Sequence, residues 1–212
     1  MNVNIDDISK KFLDKKQKLT EYIKSKDKVT LVTMGPKGTT SSMSAEYFKN
    51  FAIENLGAKN IEVLLYDTFE IAVVELKKQN ADLILLPNAY GKMTNFYWDI
   101  TLELVFTFIV QTPEYGLAAI NINEVRKKDT ISVSTCKAVE HLLKEMLVKA
   151  GMENKNVHIV EAYSTKKSLT LLEEGKVDIA LTNDTSLVGS NAYFITDTMH
   201  TEVLWSIFMN KR

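Results

Sequence analysis

Apolar residues recur along this chain in two alternating rhythms. Short runs of branched or leucine-rich residues at 29–34, 61–66 and 81–87 predict strands. Between them, 44–56 and 69–78 repeat apolar positions at helical spacing, the first with Ala45, Phe48, Phe51 and Ala52 on one face and a stop at Gly57. A lysine-rich helix over about 6–27, with Ile8, Phe12, Leu19, Tyr22 and Ile23 as its apolar positions, is predicted to lie against the body. Strand-like segments follow at 102–110 and 116–120 after an irregular stretch at 89–98. A second alternating series then runs through 130–134, a helix over 137–150, 157–160, a helix over 165–174, and 177–182. A last strand at 203–209 comes after a break around 189–198. Repeats of strand, helix, strand predict parallel sheets covered on both faces, with ligands at the carboxyl ends of the strands.

Two such series with a late return predict an α/β, two-lobed chain. A surface helix would occupy 1–28, one lobe about 29–111 and 191–212, and the second lobe about 112–190. The most informative segment joins the first strand to its helix: Gly35-Pro-Lys-Gly-Thr-Thr-Ser-Ser42. A helix start presents unpaired N–H groups and the positive end of the dipole, which suits a carboxylate or phosphate. Lys37 precedes Gly38 and no Gly-Lys-Ser/Thr follows, so this is no Walker-type loop. Hydroxyl and amide groups recur at equivalent strand-to-helix junctions: Thr39, Thr40 and Ser41, then Asn88, Ser134, Ser164, Thr165 and Asn183. Taken singly each reads first as a helix cap; their recurrence at one edge favours a second reading, as neutral donors to a carboxylate.

Composition narrows the classes. The 212 residues are 45% hydrophobic and 25% charged, ordinary for a globular protein. A formal charge of −1 makes no electrostatic case for nucleic acid. No apolar run approaches the roughly 20 residues that cross a bilayer, and the polar, acidic start is unlike a secretory signal. One cysteine fits a reducing compartment, and the cytoplasm is expected. His141, His158 and His200 have no zinc-ligand spacing, and neither a metal nor a cofactor is expected. Cys136, between a strand and a helix, is a thiol whose pKa that position would lower, or an incidental cysteine. The aromatic cluster Tyr90, Phe96, Tyr97, Trp98 lines a pocket or simply packs. The sequence leaves room for a homodimer.

The segment from Gly35 to Ser41 resembles the Gly-Pro-x-Gly-Thr-Phe-Ser signature of the prephenate dehydratase-like family, and Ser164-Thr165 resembles its Ser-Thr-Ala segment. The chain departs from dehydratases at Leu86-Pro-Asn-Ala-Tyr-Gly91, where they carry Pro-Ile-Glu-Asn-Ser. It departs again at Trp205-Ser-Ile-Phe208, where they carry Thr-Arg-Phe. Leu65-Tyr-Asp-Thr-Phe-Glu70, Pro87-Asn-Ala-Tyr90, Thr112-Pro-Glu-Tyr-Gly-Leu-Ala118, Asp178-Ile-Ala-Leu-Thr-Asn183 and Trp205-Ser-Ile-Phe208 are similar instead to the prephenate decarboxylases of bacilysin (anticapsin) biosynthesis.

The resemblance implies a periplasmic-binding-protein type II-like fold with a ligand cleft between lobes, and a lyase that decarboxylates prephenate without aromatising it. It implies Thr39, Thr40, Ser41, Asn88, Ser134, Ser164, Thr165, Asn183 and Trp205 as substrate-binding residues. A water or hydroxyl near Tyr90, Tyr115 or Ser206 is expected to protonate the ring. The alternatives are a dehydratase giving phenylpyruvate, since only the fate of the ring electrons differs, and a non-catalytic domain that binds a small anion.

Overall fold

The computed structural model describes residues 5–211, without the side chains of residues 5, 6 and 8. Ile8, expected on the apolar face of the first helix, therefore lies outside the described side chains, as do residues 1–4 and 212 of the expected domain ranges.

The elements run α1 (Ile5–Lys24), β1 (Val29–Met34), α2 (Thr40–Asn55), β2 (Ile61–Tyr66), α3 (Phe69–Lys77), β3 (Leu83–Pro87), α4 (Met93–Tyr97) and β4 (Leu102–Gln111). They continue with β5 (Tyr115–Ala119), α5 (Ile122–Lys127), β6 (Thr130–Thr135), α6 (Leu143–Lys149), β7 (Asn156–Glu161), α7 (Thr165–Glu173), β8 (Ile179–Asn183), α8 (Asp184–Leu187), β9 (Tyr193–Phe194) and β10 (Glu202–Asn210). Two compact units result: Met1–Val110 with Glu202–Arg212, and Gln111–Thr201. The return falls at Glu202, later than about residue 191, because β9 pairs with β5 and keeps its stretch in the second unit.

The first unit is built on a sheet of order β2-β1-β3-β10-β4. Strands β1, β2 and β3 are parallel, but β10 runs antiparallel to β3, so the expectation of a purely parallel sheet is corrected. Side chains alternate across a strand, and each face finds its own helices. Leu31, Leu83, Leu85, Trp205 and Ile207 join Leu19 and Ile23 of α1 and Phe48 of α2 in one core. Val32, Ile84, Leu86 and Phe208 join Phe69, Ala72 and Leu76 of α3 and Phe96 of α4 on the opposite face. Helix α1 is thus part of this unit's core, with Leu19 and Ile23 fully buried.

The second unit repeats the plan with order β7-β6-β8-β5-β9, again mixed, since β5 is antiparallel to β8. The helix expected over 137–150 is shorter: a 3-10 turn at Glu140–Leu142 precedes α6. No capping side chain bonds its first N–H groups, and Cys136 O accepts from both Val139 N and Glu140 N instead.

Candidate active site

Helix α2 begins four residues before the predicted residue 44, so hydroxyls expected in the loop form its first turn. The Thr39 side chain accepts from Ser42 N (3.3 Å) and donates to Pro36 O (2.9 Å). Ser42 Oγ accepts from Gly38 N and donates to Thr39 O. Thr39 therefore spends its hydroxyl on capping. Thr40 is half-buried at the first helical position. Ser41 is 5% exposed, and its hydroxyl makes no hydrogen bond among the described residues.

The second unit follows the same rule. Ser164 caps α7 by accepting from Lys167 N (3.1 Å), while the next residue, Thr165, accepts from Asn183 Nδ2 (3.3 Å) and keeps its own proton to give. Asn183 Oδ1 caps α8 through Ser186 N (2.9 Å). Ser134 does not fit the expected binding role. Its hydroxyl and carbonyl clasp Ser168 of α7 at 2.6 to 2.8 Å, which joins strand to helix and leaves nothing for a ligand.

Ser206 and Asn88 meet at the end of β3. Pairing of β10 with β3 sets Trp205 opposite Pro87 and Ser206 opposite Leu86, and Asn88 N bonds Leu204 O (2.8 Å). The Ser206 hydroxyl, fully buried, donates to Asn88 Oδ1 at 2.6 Å. Tyr97, at the end of α4, completes a triangle: Asn88 Nδ2 donates to its oxygen (3.1 Å), and its oxygen lies 3.2 Å from Ser206 Oγ. The Tyr97 ring stands edge-on to Phe208, 5.4 Å between centroids. In the sequence Tyr97 stands out only as one of the aromatic cluster Tyr90, Phe96, Tyr97, Trp98. The capless five-residue α4 that aims it lay in a stretch read as irregular.

Within the same unit, Tyr90 is engaged away from this triangle. Tyr90 donates to Glu70 Oε1 (2.7 Å), which also takes Lys92 Nζ (2.8 Å), and its ring packs on Phe69 and Phe96. Burial, then the Glu70 charge, pushes the Tyr90 phenol up to about 12, which makes it a reluctant acid. Tyr115 belongs to the second unit and packs in that unit's core. Trp205 points to the face opposite Phe208, into the α2 core, which does not fit its expected substrate-binding role. Its Nε1–H has no partner among the described residues. Of the two readings of Cys136, the structure favours the incidental one, since burial pushes its thiol up.

The hydrogen bonds from Lys92 and then Tyr90 hold Glu70 at about 2, against an ordinary 4.5. A depressed carboxylate stabilises the fold fully above 4.5, and that contribution is lost as pH falls from 4.5 towards 2. Glu70 is 47% exposed, so solvent screening limits its worth to about 0.5–1 kcal/mol. Urea midpoints at pH 7 and pH 3 test this. Wild type should lose more stability over that span than Glu70→Gln, and equal losses would contradict it.

No family model matches the chain. It is 32% identical over 185 residues to the prephenate decarboxylase of Planktothrix agardhii, covering 84% of this chain and 87% of that protein. It is 31% identical to the prephenate decarboxylase of Bacillus subtilis strain 168, covering 85% and 86%. The chain belongs to the prephenate decarboxylase family. Among solved structures, a prephenate dehydratase from Arthrobacter aurescens in complex with L-Phe superposes with a TM-score of 0.56 at 16% identity. That match covers 87% of this chain and 61% of that one. The periplasmic VFT2 domain of Bordetella pertussis BvgS gives 0.55 at 11% identity, covering 92% and 85%. These two likenesses speak for the fold alone. In the family's setting, the strand-end pair Asn88 and Ser206 lies in the two segments where the chain parts from the dehydratase signature.

Proposed function

We propose that this chain is a carboxy-lyase that removes the ring carboxylate of prephenate and leaves the ring non-aromatic. The kinship to prephenate decarboxylases over 84% of the chain carries this proposal. The bond from the ring to the carboxylate carbon breaks and CO2 departs. The freed electron pair shifts through one ring double bond and takes a proton at its far carbon. The carbon bearing the hydroxyl is untouched, so the product is a dihydro-4-hydroxyphenylpyruvate. In dehydration the same pair would expel the hydroxyl and aromatise the ring. The sequence supports the first outcome, because Ser206 and Ile207 stand where dehydratases carry threonine and arginine.

The carboxylates call for donors without a buried counter-charge. Ser41 at the start of α2 is the group we assign in the first unit, with Thr39 capping that turn; Thr165 at the start of α7, beside Ser164 and Asn183, is the donor of the same kind in the second. Neutral N–H and hydroxyl donors bind a carboxylate without stabilising it so strongly that loss of CO2 is opposed. We place the enzyme in the cytoplasm, where a protein with one cysteine in 212 residues is at home, on a route to a bacilysin- or anticapsin-type antibiotic.

Ultraviolet spectra of the reaction products test the assignment. One equivalent of CO2 without the alkaline absorbance of phenylpyruvate supports it. Phenylpyruvate would mark a dehydratase, and heat of prephenate binding without turnover would mark a binding domain.

A further inference from the structure

Ring protonation needs a donor, and the described hydroxyls differ sharply in exposure and in what holds their protons. Ser206 is fully buried and its one proton is directed at Asn88 Oδ1. The Tyr90 proton is directed at the Glu70 carboxylate. Tyr97 differs from both. It is 46% exposed, it stands in the same hydrogen-bonded triangle as Ser206, and no carboxylate is bonded to its oxygen.

The directions of the three bonds follow from the chemistry of the groups. Ser206 gives its proton to Asn88 Oδ1, and Asn88 Nδ2 donates to the Tyr97 oxygen, so the proton between Tyr97 and Ser206 belongs to Tyr97. The ring is homodromic, each hydroxyl accepting once and donating once. The amide of Asn88 fixes the sense of rotation, since only its nitrogen can donate. When the Tyr97 proton leaves, the Asn88 N–H already points at the phenolate oxygen. The Ser206 O–H needs only to rotate about its C–O bond to become a second donor over 3.2 Å. One donor already in place and a second within a single bond rotation stabilise the developing oxyanion and lower the barrier to giving up that proton. The edge contact with Phe208 and the short α4 hold the phenol where the triangle needs it.

From this geometry we propose that Tyr97 is the catalytic proton donor of the decarboxylation, with Asn88 and Ser206 as its positioning residues. This rests on the decarboxylase assignment above. In the step, the ring–carboxylate bond breaks and CO2 leaves, and the released pair forms a C–H bond with the Tyr97 proton. The O–H pair stays on Tyr97 as phenolate, and water at its exposed edge returns the proton.

The test runs wild type and Tyr97→Phe side by side on prephenate in D2O, with product read by NMR. Phenylalanine keeps the ring on Phe208, and thermal melting checks the fold. Should it fail to fold, Asn88→Asp serves instead, because a carboxylate in place of the amide N–H binds the Tyr97 proton and opposes its release. The expected result is a kcat lower by about 100-fold or more in the variant, the ordinary worth of a positioned acid, with KM within about threefold. Wild type should place deuterium on one face of the ring, and residual turnover of the variant on both. A loss below about tenfold, or a variant product still labelled on a single face, would overturn the role of Tyr97. A wild type that does not decarboxylate prephenate would overturn the assignment beneath it, and this proposal with it.

Discussion

Replacing Asn88 with alanine is expected to lower kcat about 100-fold while KM stays within about threefold, because misplacing a reacting group by an ångström costs about that much. Asn88 bonds each of the others through a different atom, its oxygen 2.6 Å from Ser206 and its nitrogen 3.1 Å from Tyr97. Without it the Tyr97 oxygen loses its fixed N–H donor, and the Ser206 proton is left to find Tyr97 as its acceptor. That rearrangement spares the fold most of the cost of an unpaired buried hydroxyl, so the stability loss should be only about 1–2 kcal/mol. Groups that act as a unit are not additive. The double variant Asn88→Ala, Tyr97→Phe should therefore be hardly slower than Tyr97→Phe alone. Multiplying losses would show that Asn88 acts independently of Tyr97.

Trp205→Ala is expected to cost about 3–5 kcal/mol, the usual loss for emptying a buried aromatic site. Trp205 is 1% exposed and is the largest fully buried side chain, packed where α1 and α2 cover the sheet. Trp205→Phe should cost much less, since its Nε1–H has no partner to lose among the described residues. Urea unfolding followed by circular dichroism reads both. Trp98, the other tryptophan, is 81% exposed, so in wild type the blue-shifted part of the indole emission reports Trp205. A Trp205→Ala loss below about 1 kcal/mol would contradict the core assignment. A fall in kcat with unchanged stability in Trp205→Phe would restore the ligand-side role that the resemblance implies.

Local pattern carried most of the fold. Runs such as Val29–Met34 and Ile61–Tyr66 end where the pattern stops, because strands covered by helices are largely apolar. What failed was short or distant. The five residues of α4 are too few for periodicity and have no side-chain cap. The start of α2 was misplaced because serine and threonine suit loops and first turns alike, and only the geometry assigns the cap to Thr39. The antiparallel return of β10 joins residues at opposite ends of the chain, and no neighbouring residue encodes that direction.

The site was legible to the same degree. Asn88 and Ser206 were recognised through family-like segments, not through any spacing, since 118 positions separate them. Tyr97 lies 109 positions from Ser206 and was hidden by the same distance. Tyr90 stands in a family-like segment, yet its hydroxyl donates to Glu70, twenty positions earlier. Ser134 shows the converse error. A buried serine at a strand end looks like a ligand contact until the helix backbone it clasps is known.

The most direct check is to convert prephenate with the purified protein and follow carbon and proton NMR signals of the product. The account requires one CO2 released, a ring carbon that still bears its hydroxyl, and a new C–H bond on a ring that has not become aromatic. Aromatic proton signals from phenylpyruvate, or prephenate returned unchanged, would contradict it.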